Sequence, residues 1–458
     1  MHTLAFLDPG HFHAALTLRE RNPSVNDEIM VYAPPGRELD DFLGLVDAFN
    51  KRAERPTGWR ATVRAGERSL ERLLDERRGD AVVLAGRNDR KMALARRLHD
   101  AGFAVLADKP WIVRPDAVSD VRHVLSGGAV AVEIMTGRHE ITSIIAERLV
   151  ADRDVFGEFE VDHVGGPEGR GDAPDMAPHT PQRSEHAGVA GRAPRPPLAR
   201  TGTAGPAIRL TSIHHLEKVV NGAPLRRPPW YFDLRVQGDG LADIPTHLVA
   251  QAQRLLASRG RPTDRDLELV AARRWATPVP RALFHRVTGL DAFPVELRDH
   301  VDGDTLAYFS NAELSFRLRG VSVVVATRWD LTEPPGGGDA HSAVVRGTRS
   351  QLRIEQGPET GFRRRLFVEP RRDLSGVGAA LSHALATWPA ALSGISAVAT
   401  PDGFELAIPD RLRTGHENHF PLVLDEFIRT IDGGAWPDDR AADTLAKYEL
   451  LARAARRA

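Results

Sequence analysis

The sequence predicts an α/β chain that continues into an α+β part. A doubly wound parallel sheet comes first, and a largely antiparallel open sheet with helices follows. Three observations predict this. Residues 1 to about 125 alternate short apolar runs with stretches of helical period. Those apolar runs lack polar alternation, as expected of strands buried on both faces. The second half supplies strand-like runs separated by turns rather than helices. At 458 residues the chain exceeds what one core usually supports, so two domains are expected, 1–128 and 129–458.

Taken in order, Leu4–Leu7 is the first expected strand, and a helix starts near Phe12. EIMVYAPPG gives a second strand that ends at a Pro-Pro-Gly turn, and LDDFLGLVDAFNKRAE has apolar residues at helical spacing. WRATVRAG and SLERLLDERR read as strand and helix, as do DAVVLAG and DRKMALARRLHDAG, then FAVLADKP and PDAVSDVRHVLSGG. AVAVEIMTGRH and EITSIIAERLVADR add one more strand and helix. Residues 165–205 are rich in Gly, Pro, Ala and Arg with little apolar periodicity, and read as a mobile insertion. Beyond them WYFDLRV, LAYFSNAELSFRLRG, VSVVVATRWDL, SAVVRGTRSQLRIEQ, RRRLFVEPR and GFELAIP read as strands. FPLVLDEFIRTIDGG and RAADTLAKYELLARAARR read as closing helices.

Composition narrows the function classes. The formal net charge is −1, so no global field draws the chain to nucleic acid or anionic lipid. The chain has no cysteine, which excludes disulfides and thiolate metal sites. No apolar run spans a bilayer and no signal peptide is apparent, so a cytoplasmic protein without a membrane partner is expected.

Two stretches could carry chemistry. In VLADKPWI, Asp108 and Lys109 sit at the carboxyl end of an apolar strand, where ligands bind in an open parallel sheet. Pro110 restricts Lys109 to an extended conformation. A strand-end lysine that snorkels to solvent is the alternative. In VQGDGLADIPTHLV, Asp243 and His247 are four apart and share a face if helical. A carboxylate beside an imidazole fixes its tautomer and raises its basicity. A helix with a first-turn acid and a core-edge histidine is the plainer reading.

The order and spacing of LDPGHFHAAL, VYAPPGREL, VVLAGRND, VLADKP, EIMTGRHEIT and GDGLADIPTHLV resemble the Gfo/Idh/MocA family of nicotinamide-dependent oxidoreductases, in a subgroup known only as oxidoreductases by likeness. The resemblance covers nearly the whole chain outside the 165–205 stretch. It implies a Rossmann domain, NAD or NADP as cofactor, a sugar, cyclitol or related polyol as substrate, and a homo-oligomer, dimer or tetramer. The family's Glu-Lys-Pro corresponds to Asp108-Lys109-Pro110, with Asp in place of Glu. By resemblance His247 is the general base, Lys109 polarises the same oxygen, and Asp243 positions His247 or binds a neighbouring hydroxyl. Arg138 and His215 are candidate substrate contacts, with His139 and His419 behind them; each has a surface or interface role as its alternative. Redox-neutral chemistry with a retained NAD (glycoside cleavage, elimination or epimerisation) is a second reading. A relative that senses or scaffolds is a third.

The cofactor signals are uneven. Asn88 in AGRND follows a buried strand and is a candidate contact, with a helix N-cap as alternative. VYAPPG lacks the acid that usually meets the adenosine ribose, and Arg37 could meet a 2′-phosphate. The first turn keeps Gly10 but places His11, Phe12 and His13 where fingerprint glycines stand. Gly10 and the amides from His11 to His13 are expected to face the pyrophosphate. Asp8 is the awkward residue there, since its carboxylate repels phosphate; it caps the helix or meets a ribose hydroxyl instead. The histidines of HENHF are one residue short of H-E-x-x-H, so no metal is expected there.

Overall fold

Six short strands form the first sheet: β1 (Leu4–Leu7), β2 (Glu28–Ala33), β3 (Arg60–Ala65), β4 (Ala81–Leu84), β5 (Ala104–Asp108) and β6 (Ala131–Ile134). All pair in parallel, in the order β3-β2-β1-β4-β5-β6. The connecting helices are α1 (His13–Leu16), α2 (Arg37–Lys51), α3 (Ser69–Glu76), α4 (Lys91–Asp100) and α5 (Val118–Ser126), and α6 (Ile141–Ala151) follows. The apolar runs explain the topology: β1, β4, β5 and β6 are buried along their whole length. β3, with Arg60 and Arg64, takes the exposed edge. The strand order reverses between β1 and β4, which opens a crevice at their carboxyl ends. This is a computed structural model, and it describes residues 1–160, 205–220, 223–259, 266–433 and 438–458.

The second sheet contains β7 (Ile208–Glu217), β10 (Leu267–Pro280), β11 (Val301–Asp302), β12 (Thr305–Leu318), β13 (Val321–Thr332), β14 (Ala340–Arg346), β15 (Ser350–Gln356), β16 (Arg365–Pro370), β17 (Ser396–Thr400) and β18 (Gly403–Ala407). Its order is β10-β12-β13-β7-β14-β15-β16-β18-β17, with β11 beside β12. Only β13 and β7 run parallel; every other pair is antiparallel. A small ribbon pairs β8 (Val219–Val220) with β9 (Ala223–Pro224). Helices α7 (Leu234–Gln237), α8 (Pro245–Leu255), α9 (Arg281–Thr288) and α10 (Leu374–Thr387) belong to this half, and α11 (His419–Ile431) and α12 (Asp438–Arg457) end the chain.

Two departures from the sequence expectation stand out. β6 pairs with β5, so the parallel sheet runs past residue 128. WYFDLRV, expected as a strand, is helical: Pro229–Phe232 forms a 3-10 turn and Leu234–Gln237 is α7. The Asp233 side chain caps α7 by accepting from the Arg235 amide at 2.9 Å, and Gly238 ends it at φ +94°; local capping outweighs the β-propensity of the aromatics. The expected insertion at 165–205 lies, except for Gly205, outside the described residues.

The closing helices return to the first sheet. Phe420, Val423, Leu424 and Phe427 of α11 share a core with Phe6, Val83 and Leu106. On α12, Lys447 and the Tyr448 hydroxyl both hydrogen-bond to the buried Glu133 of β6, and the Tyr448 oxygen accepts from the Trp111 amide at 2.8 Å. Lys447 and Glu133 expose 2% and 3% of their side chains, so the pair is desolvated. Removing one partner of such a pair strands a buried charge and costs roughly 3–5 kcal/mol. Lys447→Ala is therefore expected to lower the denaturant midpoint strongly. The double variant Glu133→Leu/Lys447→Met should recover most of the loss. Chemical denaturation followed by circular dichroism measures both.

Candidate active site

β5 delivers Asp108 and Lys109 to the crevice, and the Lys109–Pro110 peptide bond is cis. Lys109 Nζ donates to Asp243 Oδ1 at 2.5 Å. Asp243 stands just before α8, whose first turn is set by Pro245 and by the Thr246 hydroxyl donating to the Asp243 carbonyl at 2.6 Å. Burial pushes the Asp243 carboxyl up, but the Lys109 ammonium outweighs it and the net shift is downward. Both groups are thus charged in a nearly dry site. His247, one turn into α8, is held well below its ordinary pKa by burial and then by Lys109. Its imidazole is neutral and can accept a proton. His416 borders the same space; burial, His419 and Lys109 bring it down to about 4.

Glycines make the close approaches. A Cβ on Gly86 would lie 2.3 Å from the Asp8 carbonyl oxygen, so only glycine lets the turns after β1 and β4 meet. A Cβ on Gly240 would lie 2.5 Å from the Asn311 carbonyl oxygen, which explains the GDG turn leading into α8.

Beside this crevice lies a cavity of about 430 Å³. Asp8, Pro9, Gly36, Arg37, Gly86 and Arg87 are among its lining residues. Asp8 has a left-handed backbone (φ +46°), and its Oδ1 is buried without a hydrogen-bond partner. Burial raises its pKa. Glu38 reaches over Gly10, held by Arg87 at 3.0 Å and by the Trp230 indole at 2.8 Å.

A second polar cluster lies on the second sheet. The Ser212 hydroxyl is 2.7 Å from His214 Nε2 and 2.8 Å from His341 Nδ1. His214 Nδ1 meets Asp339 Oδ2 at 2.9 Å, and Lys218 donates to the same oxygen at 2.8 Å. Burial raises the Asp339 carboxyl, but His214 and Lys218 among its partners carry the net shift well below the usual carboxylate range.

These contacts fit a known family. A family model described as "Putative oxidoreductase C terminal domain" matches residues 197–458. The solved structure of a "putative oxidoreductase" from Parabacteroides merdae is 33% identical, with 99% of this chain and 97% of that chain covered and a TM-score of 0.87. The chain belongs to this oxidoreductase family. The oxidoreductase shares its fold with a "putative myo-inositol dehydrogenase" from Sinorhizobium meliloti (15% identity, 100% of this chain and 97% of that chain, TM-score 0.53). It also shares it with KijD10, a 3-ketoreductase from Actinomadura kijaniata in complex with NADP and TDP-benzene (12% identity, 99% and 97%, TM-score 0.53). No curated protein matches it.

The oxidoreductase brings some expected residues together and commits others elsewhere. Lys109 and Asp243 meet, but the Asp243 carboxylate is taken by Lys109 and by Gln237 at 3.4 Å rather than by His247. Asn88 neither caps α4 nor is free: it donates to the Gln237 carbonyl at 2.9 Å and accepts from Lys91 at 2.5 Å, bolting the two halves together. Arg138 donates to Glu426 at 3.2 Å and to the Met135 carbonyl at 3.0 Å, and burial lowers it to about 10. His139 lies 3.9 Å from Glu426, and His419 accepts or donates to Thr414 at 2.8 Å. His215 is buried with Nδ1 3.8 Å from Asp339. Arg37 is exposed and faces Asp41 at 3.5 Å. At the first turn the Gly10 amide donates to the Asp8 carbonyl at 2.8 Å and the His11 amide to the Ala85 carbonyl at 3.0 Å. α1 has only four residues, so the expected helix N-terminus for a pyrophosphate is not built there. The Phe12 ring instead packs against both His11 and His13, tilted to the first and edge-on to the second, its centroid 4.6 Å from each.

Several site residues had no local signal. His416 sits in the HENHF stretch, where the test was spacing for a metal; its place beside the Thr136 hydroxyl, 3.2 Å from its Nε2, comes from α11 folding back. Lys91 reads in sequence as a solvated helix residue, yet it is buried, and burial lowers it to about 8.

Asp339 gives a pH prediction. Its folded-state pKa lies below the ordinary 3.8, so its contribution to stability is present above that value and is lost as pH falls below it. Asp339→Asn should be less stable than the parent at pH 7, and the gap should narrow steadily below about pH 4. Thermal unfolding across pH 2.5–7 checks this; a gap that stays constant would contradict it.

Proposed function

We propose that the oxidoreductase transfers hydride between a nicotinamide dinucleotide and a carbinol carbon of a sugar, cyclitol or related polyol. The observation that carries this reading is the buried Lys109–Asp243 pair beside a neutral His247 at the carboxyl end of a parallel sheet. The cavity next to it suits the dinucleotide. The unpartnered Asp8 oxygen would accept from a ribose hydroxyl, and Arg37 and Arg87 stand where phosphates would be neutralised. The name of a protein of the same fold, a "putative myo-inositol dehydrogenase", supports the substrate class.

The chain's own residues divide the work. When bound, the nicotinamide supplies a hydride acceptor or donor. In the oxidative direction the His247 imidazole accepts the substrate hydroxyl proton. The Lys109 ammonium faces the same oxygen and stabilises negative charge as it develops, in a site where little water screens it. Asp243 fixes the ammonium in place and balances its charge, so that Lys109 is a preorganised donor rather than a mobile one. The Ser212–His214–Asp339 cluster offers polar contacts to further substrate hydroxyls.

Titration of the purified chain with NADH and NADPH, followed by intrinsic fluorescence, tests the cofactor; saturation by neither at millimolar concentration would refute the proposal. A polyol and sugar screen then finds the substrate. Against that substrate His247→Ala should lower kcat by about 10²–10⁴-fold, with cofactor affinity changed far less and the fold intact by circular dichroism; Lys109→Ala should lower kcat similarly but also lower the denaturant midpoint, because it strands the buried Asp243 carboxylate.

A further inference from the structure

We infer that His11, His13 and Asp108 form a binding site for one divalent transition-metal ion of the zinc class. Each offers one ligand atom, and the three atoms lie within 4.8 Å of one another. Asp108 Oδ2 is 2.9 Å from His13 Nδ1 and 3.6 Å from His11 Nδ1. Around a tetrahedral ion with ligand bonds of about 2.0–2.1 Å, neighbouring ligand atoms stand about 3.3 Å apart. The two distances bracket that value. The two rings meet edge to face at a centroid distance of 4.1 Å, so both imidazoles already converge on the carboxylate.

The charge pattern points the same way. Asp108 is 3% exposed, and its Oδ1 has no hydrogen-bond partner. A buried carboxylate is costly unless a cation answers it. The two nearby lysines attract it only through space and do not hydrogen-bond to it: Lys109 donates to Asp243, and Lys91 directs its protons to Asn88 Oδ1 and to the carbonyls of Asp108 (2.9 Å) and Pro110 (3.2 Å). Two imidazoles and one carboxylate suit a borderline ion such as Zn²⁺ or Co²⁺, and three protein ligands leave a position for water or a substrate oxygen. On the function proposed above, that position would receive a hydroxyl of the polyol. The site itself does not depend on that function.

Co²⁺ added to the full-length, chelator-stripped protein tests the site without any nucleotide. One equivalent should bind and give visible ligand-field absorption, and Zn²⁺ should displace it. His13→Ala and Asp108→Asn should each weaken Co²⁺ by roughly 10–100-fold or more. His11→Ala, which touches a less buried ring, serves as the second variant if either fails to fold by circular dichroism. A control His99→Ala/His123→Ala, at the other His–Asp–His group of the described residues, should leave the equivalent intact. Absence of binding at millimolar Co²⁺, or binding unchanged in folded His13→Ala and Asp108→Asn, would overturn the site. Because the readout is metal absorption, it fails or succeeds independently of nucleotide binding.

Discussion

The buried ion pair between Lys109 and Asp243 is the constraint around which the two halves of this oxidoreductase are arranged. Its partners are 134 residues apart in sequence, one at the end of a parallel strand and the other at the entry to the first long helix of the second half. Neither charge would be tolerated at this depth alone. The second half must therefore close on the first with α8 in register, and the hydrogen bonds of Asn88 to Gln237 lock that register across the seam, with Lys91 holding Asn88 from behind. The pair also bears on the chemistry, because burial and then the fixed Lys109 ammonium hold His247 well below its ordinary pKa and leave it neutral.

The first turn shows how a dinucleotide fold can trade one recognition device for another. Where fingerprint glycines would expose backbone amides, the chain carries His11 and His13, and their side chains turn to Asp108 on the neighbouring part of the sheet. The amides of Gly10 and His11 are consumed by carbonyls of the chain itself. The close approach that a fingerprint glycine would permit is kept by Gly86, after β4 instead of after β1. Arg37, Arg87 and Arg90 line the adjoining cavity, and Arg87 is paired there with Glu38.

Much of the fold was legible because it rests on local periodicity. Runs such as Ala81–Leu84 and Ala104–Asp108 have no polar face, and only a sheet covered on both sides accommodates them. The strands of the second half were legible where polar and apolar residues alternate, as in Thr305–Leu318. The expectation failed at Trp230–Val236, where capping by Asp233 and two prolines decides the conformation. It also failed at residue 128, because no local feature marks where pairing with β5 ends. Lys109, Asp243 and His247 stood out by position and by resemblance. Lys91, Gln237, His416 and the Ser212–His214–Asp339 cluster did not, since each gains its place from a partner far along the chain. The H-x-H of His11 and His13 beside a strand-end Asp108 was a signal in plain sight, but it spans two separate motifs.

The sequence by itself determined the class of the fold, the parallel order of its first half and the strand-end position of Lys109, because each follows from burial patterns over a few residues. Only the tertiary structure decided which group meets each buried charge: Asp243 answers Lys109 rather than His247, Glu133 answers Lys447, and the His13 ring hydrogen-bonds to Asp108. The reason is physical. A buried charge is satisfied by whichever partner the packed chain brings within about 3 Å of it, and over separations of 95 to 314 residues no local pattern specifies that partner.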